Sequence, residues 1–252
     1  MPVRYAIVGT EGPHDQAFVS AAMKLLGLKE FSGTEAELDP FWKPFIPIYP
    51  KSGGRLYQRL DMPSIVFNDD VSAAIYAGEG SKLKSQLPLI LENNSPYRLE
   101  TCAFGIVADA DEKGPNSVAQ KYSQSFRDLF PDFPTTPGVV NPETTRTGIF
   151  VLPDNEREGV LDSLIVECRH VVYPVHMTRS VEFVEGFEEK DRSHWKPFDH
   201  DKAVVASSAS ILRPGMTNTV TIKQDGWLAE DSKSVPGVAR FLAFARDLLE
   251  LP

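Results

Sequence analysis

Cysteine is scarce in this sequence, and its histidines are dispersed. Cys102 and Cys168 are the two cysteines among 252 residues, and each lies alone in an apolar segment. They form neither a zinc-binding box nor a disulfide framework. The five histidines have no spacing that suits a zinc site, and no G-x-S-x-G segment marks a nucleophilic serine. These absences argue against a zinc enzyme and against catalysis by a cysteine or serine nucleophile.

Long apolar runs and an excess of positive charge are also lacking. No segment approaches the roughly 20 apolar residues that span a bilayer, and the N-terminus shows no signal-peptide pattern. We therefore expect a cytoplasmic protein without a membrane partner. The formal net charge of −9 at pH 7 argues against tight nucleic-acid binding by a basic surface alone. If the substrate is a polyphosphate, a metal or a partner must supply the positive charge.

Apolar runs of strand length alternate with helical patterns over the first two thirds of the chain. Strands are predicted at 3–8, 72–77, 102–109 and 147–152, and helices at 17–26, 82–91, 116–130 and from 161 onwards. This alternation predicts an α/β fold with a mainly parallel sheet flanked by helices. The chain length suits one core with an insertion or an appendage.

The domain organisation follows from where this alternation stops. We assign residues 1–170 to the α/β domain, with an irregular insertion after the first helix, at about 32–70, that is rich in proline and aromatic residues. Short edge strands are predicted inside it at 46–49 and 65–67. Residues 171–252 are expected to form a helical C-terminal part packed on the same core. Its helices are predicted at 175–184, 202–212 and 235–249.

Acidic residues follow three of the four predicted strands. Glu11 and Asp15 come after the first, Asp109 and Asp111 end the third, and Asp154 follows the fourth. The carboxyl ends of parallel strands meet at one edge of a sheet, and carboxylates two apart in an extended chain point the same way. A divalent cation or a raised pKa relieves their repulsion, and oxygen ligands favour Mg²⁺ or Mn²⁺. Taken singly, each acidic turn is also explained by loop formation or by a helix dipole.

Two short motifs resemble the signature boxes of the TOPRIM fold, which topoisomerases, primases and overcoming-lysogenization-defect nucleases share. They are Glu11-Gly12-Pro13-His14-Asp15 and Asp109-Ala110-Asp111, each at a strand end. The chain is also similar to small stand-alone TOPRIM-like proteins that carry a Pro-Asp-Asn box and a Lys-led helix. Here these motifs are Pro153-Asp154-Asn155 and Asp201-Lys202-Ala203. The resemblance covers residues 1–30 and 70–212 and leaves out the insertion.

The resemblance implies a Mg²⁺- or Mn²⁺-dependent nuclease that cleaves phosphodiester bonds. Glu11 would be a metal ligand and general base, and Lys202 would neutralise charge at the scissile phosphate. Asp162 stands where the family carries a longer Glu, which is a departure from the pattern. Asp109 and Asp111 would hold the metal together with Glu11, and Asp15 and Asp154 would complete a second metal position.

Lys202 is the first residue of the predicted helix 202–212, which is an unfavourable position for a positive charge. A lysine there faces the positive end of the helix dipole, so it gains nothing from the helix itself. One interpretation is that the side chain is held for a phosphate beside the metal. The other is an exposed lysine whose charge is satisfied by Asp199 and Asp201.

The resemblance also implies partners. Nucleic acid is the expected substrate, and an ABC-type ATPase is the expected protein partner in a phage-defence system, because the chain lacks the ATPase domain of the lysogenization-type nucleases. The sequence leaves a homo-oligomer open. Two other functions also stay open: a haloacid-dehalogenase-like phosphohydrolase, whose D-x-D box normally follows the first strand, and a non-catalytic TOPRIM-like module that binds a partner. An inert module has no need of a divalent metal, and this separates it from both enzymes.

Overall fold

A seven-stranded sheet forms the centre of the protein within residues 3–46 and 63–252, the part that the computed structural model describes. Its spatial order is β2-β3-β4-β1-β5-β7-β6. The four central strands β4, β1, β5 and β7 run parallel, and the outer strands β3, β2 and β6 are antiparallel to their neighbours. The strands are β1 (Arg4–Thr10), β2 (Lys29–Glu30), β3 (Ser64–Phe67), β4 (Val71–Ala77), β5 (Thr101–Asp109), β6 (Val140–Asn141) and β7 (Arg146–Leu152).

Helices cover both faces of the sheet and form the C-terminal third of the chain. The predicted α/β class, with a mainly parallel sheet, flanking helices and a helical C-terminal part, is therefore confirmed. No helix among the described residues is long and apolar enough to cross a membrane. The α-helices are α1 (Pro13–Lys24), α2 (Leu83–Asn93), α3 (Ser95–Glu100), α4 (Pro115–Phe126), α5 (Leu161–Val172), α6 (Pro174–Glu185), α7 (Glu189–Arg192), α8 (Asp199–Leu212), α9 (Asn218–Gln224) and α10 (Pro236–Leu249).

The central strands are apolar along their whole length because both faces of the sheet are covered. Successive side chains of β1 point to opposite faces. Ala6 and Val8 belong to one buried cluster with residues of α1, α5 and α10. Ile7 belongs to a second cluster, with residues of α2 and α4. The helical C-terminal part thus contributes directly to the core beneath the sheet.

Two strand glycines explain how closely α10 approaches the sheet. A Cβ atom added to Gly105 of β5 would lie 2.6 Å from Leu248 Cδ2, and one added to Gly148 of β7 would lie 2.7 Å from Phe244 Cε2. Glycine inside a strand normally weakens it, but here it admits large apolar side chains of α10. The position of α10 against β5 and β7 therefore depends on these two residues.

Several element boundaries differ from the predicted ones. The helix predicted at 116–130 ends at Phe126, although Phe130 beyond it stays buried. The helix predicted at 202–212 begins at Asp199. The polar segment around residue 220, which periodicity left unassigned, is the short helix α9, and its Ile222 joins the core. The predicted strand at 65–67 is confirmed as β3, whereas that at 46–49 lies largely outside the described residues.

Candidate functional site

The candidate site lies where the adjacent strands β1 and β5 end. Thr10, the last residue of β1, is paired with Val107 of β5, so Glu11 and Asp109 leave the sheet side by side. Asp15 sits in the first turn of α1, and its Oδ2 accepts a 2.8 Å hydrogen bond from the backbone N–H of Gly12. The fold thus brings Glu11, Asp15 and Asp109 to one place. Together with Asp111, which follows Asp109 in the chain, we call them the carboxylate cluster.

Glu11, Asp15 and Asp109, the more buried members of the cluster, each accept a hydrogen bond. The hydroxyl of Tyr122 in α4 donates to Glu11 Oε1 at 2.7 Å. The backbone N–H of Leu161, the first residue of α5, donates to Asp109 Oδ1 at 2.8 Å. These bonds orient the side chains, but they do not neutralise the charges.

The electrostatics of the cluster are those of buried acids that repel one another. Burial, and then the charge of Glu11, raise the pKa of Asp15 to about 7. Burial, followed by the charges of Asp15 and Glu11, holds the pKa of Asp109 well above its ordinary value. Burial also raises the pKa of Glu11, whereas the bond from Tyr122 and the charge of Lys84 oppose that rise. The site therefore carries more negative charge than its protein surroundings balance.

Asp111 occupies the outer side of the cluster, and the extended geometry predicted for it was wrong. Strand β5 ends at Asp109, and Asp111 has a left-handed φ of 50°, so the alternation of an extended chain does not reach it. Its backbone exchanges hydrogen bonds with Gly159, and its half-exposed carboxylate lies 3.8 Å from Lys113 Nζ. Even so, the charge of Asp111 raises the pKa of both Asp109 and Glu11.

Asp154 has different neighbours from the other predicted ligands. Its carboxylate accepts hydrogen bonds from the backbone N–H groups of Glu156 and Arg157. Its Oδ2 lies 3.0 Å from Arg157 Nε and 3.8 Å from Arg240 Nη1. A carboxylate already compensated by two guanidinium groups has less need of a cation. These contacts do not favour a role for Asp154 in a second metal position, and that role remains a prediction.

Asp162, which stands where TOPRIM-like proteins carry a Glu, interacts electrostatically with the cluster. Its charge contributes to the raised pKa of Asp15. Burial raises the pKa of Asp162 itself, and the nearby charges of His14 and Lys202 oppose that rise. Asp162 thus connects the carboxylate cluster to the first turns of α8.

Lys202 lies beside this acidic region, but not at a helix start. Because α8 begins at Asp199, the helix start predicted at Lys202 was wrong, although Lys202 still lies within the first turn of the helix. The lysine Nζ lies 3.1 Å from Asp199 Oδ1, and about half of the side chain, 51%, is exposed. An exposed ion pair of this kind contributes little to stability. The side chain can therefore exchange Asp199 for a phosphate at small cost.

Sequence reasoning missed two residues of the site. Tyr122 belongs to the apolar face of α4, yet its hydroxyl donates a hydrogen bond to Glu11. Lys84 lies in the first turn of α2, with its Nζ 5.2 Å from the centre of the Tyr122 ring. The only sequence signal for either was a polar group on an otherwise apolar helix face. Their meeting with Glu11 depends on how α2 and α4 pack together.

The donor set of the cluster fits a hard divalent cation, because it consists of carboxylate oxygens with surplus negative charge. In the part of the chain that the structure describes, however, no three Asp, Glu, His or Cys side chains are already arranged as metal ligands. Glu11, Asp109 and Asp111 would hold the cation, with Asp15 beside them.

Comparison with known proteins places the sequence in a family without giving it an activity. Residues 5–247 match the profile of a family described as a protein of unknown function, DUF3226. The chain belongs to this family. Among curated proteins, none is detectably similar to it.

One solved structure shares the fold of this DUF3226 member over nearly its whole length. It is the crystal structure of a hypothetical protein from Pyrococcus horikoshii OT3, which is 15% identical and superposes with a TM-score of 0.56. The similarity covers 98% of each chain. At this identity the likeness shows the fold alone, so the function has to be inferred from the site.

The cluster predicts an unusual pH dependence of stability for the metal-free protein. The folded-state pKa of Asp15 is raised from 3.8 to about 7, so between these values the folded state binds more protons than the unfolded state. The contribution of Asp15 to stability is therefore lost as pH rises through about 7. Replacing it by Asn, which cannot ionise, should give a variant whose stability advantage over the wild type grows from about pH 4 to about pH 7. Urea unfolding across this range measures the difference, and a constant difference would contradict the assigned repulsion.

Proposed function

We propose that this chain is a Mg²⁺- or Mn²⁺-dependent nuclease of the TOPRIM type. The observation that carries the proposal is the buried cluster at the ends of β1 and β5. Beside the effect of burial, the charge of Glu11 raises the pKa of both Asp15 and Asp109, and the charge of Asp15 raises the pKa of Asp109 further. A hard divalent cation is the natural compensation for such charge, and acidic clusters with cations act on phosphate esters. The proposal draws its reaction from the resemblance of the two acidic boxes to TOPRIM nucleases.

In the proposed reaction, Glu11 is the general base. Its carboxylate accepts the proton of the attacking water while the water oxygen bonds to phosphorus. The bond from phosphorus to the leaving sugar oxygen breaks, and that oxygen takes a proton from solvent. The raised pKa of Glu11 makes it a stronger base than an ordinary carboxylate. The hydroxyl of Tyr122 orients Glu11 through Oε1 and is a positioning group. The cation, when bound, acts as a Lewis acid that stabilises charge on the phosphate oxygens. Lys202 supplies a further positive charge at the edge of the cluster.

A nuclease panel tests this function. Labelled single-stranded and duplex DNA and RNA are incubated with the purified protein in Mg²⁺, in Mn²⁺ and in EDTA. We expect cleavage with either cation and none in EDTA. Absence of metal-dependent cleavage, together with absence of metal binding, would favour the non-catalytic module instead.

Lys202→Ala should reduce the cleavage rate on the order of 10²-fold if the lysine stabilises charge on the phosphate. Its folding and metal binding should be unchanged, because the residue is half exposed and its ion pair lies on the surface. Single-turnover rates of the wild type and the variant measure the effect. Lys190→Ala removes another exposed, ion-paired lysine and serves as the control. A Lys202→Ala rate within about a factor of two of the wild type would remove Lys202 from the site.

We also propose, from the same resemblance, that the nuclease works in the cytoplasm with an ABC-type ATPase partner in phage defence. The charge of −9 supports a partner, since the chain has little general attraction for nucleic acid. Affinity purification from the native host should recover an ATPase together with the chain. Recovery of the chain alone, with full activity in isolation, would contradict the partner.

A further inference from the structure

A groove of about 270 Å³ lies between α6, α7 and α8 in the helical C-terminal part. Phe183 of α6 and Phe187, which follows that helix, line it, and their rings meet edge to face with 5.1 Å between the ring centres. Trp195, which follows α7, adds a third aromatic side chain to the lining. Phe183 is 60% exposed and Phe187 is 49% exposed. Both phenylalanine rings are therefore accessible from solvent.

The apolar surface continues from the groove along α8. Ala203 and Ser207 line the groove, and Ile211, one turn further on, is 57% exposed. Residues four apart lie on one face of a helix, so these three share the side of α8 that borders the groove. They span two helical turns, about 12 Å. Exposed apolar side chains that are clustered rather than scattered typically mark an interaction site.

The segment that carries the two phenylalanines is strongly acidic. Residues 182–191 contain five acidic side chains and one lysine. That lysine, Lys190, already forms a 2.7 Å ion pair with Glu188. Glu182 and Asp191 are exposed, and neither forms a salt bridge with any other residue that the structure describes. The apolar groove thus has unpaired negative charge at its rim.

The charge of the rim distinguishes between the possible occupants. Arg192 also lines the groove, with its guanidinium 5.9 Å from the centre of the Trp195 ring. With it included, residues 182–192 hold five acidic against two basic side chains, a formal charge of −3. Such a rim repels nucleic acid and anionic lipid. It also disfavours a second copy of the chain, because a two-fold dimer places the same patch of both copies together and so opposes like charges.

We propose that this groove binds a basic amphipathic helix of a partner protein. Apolar side chains of that helix pack against Phe183 and Phe187, as in other complexes in which a helix lies in a groove. Its lysine or arginine side chains pair with Glu182 and Asp191.

The size of the groove also favours side chains of a protein over a free small molecule. Its volume is below the range of about 300–1,000 Å³ that is typical of small-molecule pockets. The proposed helix does not depend on the nuclease function, since none of the residues lining the groove belongs to the carboxylate cluster.

The test is a binding measurement with a synthetic probe. A labelled peptide of about 15 residues, with Leu and Lys spaced to form an amphipathic helix, is titrated with each protein and followed by fluorescence anisotropy. The proteins are the wild type, Phe183→Ser, Asp191→Lys and the control Leu99→Ser, which removes a side chain of α3 that is 74% exposed. We expect the wild type and Leu99→Ser to bind equally, and Phe183→Ser to bind about tenfold more weakly because an aromatic anchor is lost. Asp191→Lys should also bind more weakly, and a counterpart peptide with Glu in place of Lys should not bind the wild type.

The remaining outcomes overturn the proposed helix site, whatever the nuclease panel shows. Equal binding by the wild type and Phe183→Ser, or binding of the Glu peptide, would exclude a basic partner at this groove. A dimer in analytical ultracentrifugation that Phe183→Ser dissociates would assign the groove to a second copy. Binding to phosphatidylserine vesicles that Phe183→Ser abolishes would assign it to a membrane. Phe187→Ser provides a second variant, should Phe183→Ser fail to fold in its melting curve.

Discussion

Glu11→Gln should lower the rate of phosphodiester cleavage by at least about 10²-fold, because general base catalysis typically contributes 10²–10⁴-fold. The amide oxygen of Gln can still accept the hydrogen bond from Tyr122, so the side chain keeps its orientation while losing its basicity. Single-turnover cleavage in saturating Mg²⁺ or Mn²⁺ measures the effect on the chemical step. The variant should melt no lower than the wild type, since one of several repelling charges has been removed.

The matched control for this prediction is Glu92→Gln, an exposed glutamate near the end of α2. Its cleavage rate should equal that of the wild type. A Glu11→Gln rate of more than about half the wild-type rate would remove Glu11 as the general base. Retained activity with weaker metal binding would instead leave Glu11 as a ligand alone.

Asp109→Asn should stabilise the metal-free protein at a pH of about 8, on the order of 1–2 kcal/mol. Its carboxylate is buried and repelled by Asp15 and Glu11, so the neutral amide relieves both the desolvation and the repulsion. The amide oxygen still accepts the bond from the Leu161 N–H. For a chain of this size, each kcal/mol raises the melting temperature by about 2–4 °C. Melting curves with and without Mg²⁺ measure the gain and show whether the variant loses any stabilisation by metal.

Asp128→Asn provides the comparison, because Asp128 is exposed and follows the end of α4. Its melting temperature should match that of the wild type within about 1 °C, as expected for a surface substitution. If Asp109→Asn melts lower than the wild type without metal, then Asp109 contributes to the fold through its charge. The surplus of negative charge in the site would then be disproved.

The central fold could be predicted from sequence because its strands are buried on both sides. A continuous apolar run such as that of β5 has few alternatives, and alternation with helices indicates a parallel sheet. The short strands β2 and β6 could not be predicted, since two residues carry no periodicity. The contact of α10 with β5 and β7 could not be predicted from the sequence either. It depends on Gly105 and Gly148, whose role appears only once the helix lies against them.

The sequence was enough to predict which residues form the carboxylate cluster, but not how they are arranged. Glu11, Asp15 and Asp109 meet because β1 and β5 are neighbours, and that order is a property of the whole sheet. No local pattern indicated that Asp111 lies beyond the strand in a left-handed conformation. Tyr122 and Lys84 were missed because their helices reach the site only through packing between α2 and α4. Local patterns thus identify the acids, while tertiary packing selects their partners.

The most direct test of the metal site is an isothermal titration of Mg²⁺ and Mn²⁺ into the wild type and Asp109→Asn. The titration is done at a pH of about 8, which is above the pKa of about 7 of Asp15. We expect saturable binding to the wild type and weak or absent binding to the variant, whose fold is checked by its melting curve. Binding of neither cation to the wild type, or equal binding to both proteins, would contradict the assignment of the cluster as a metal site.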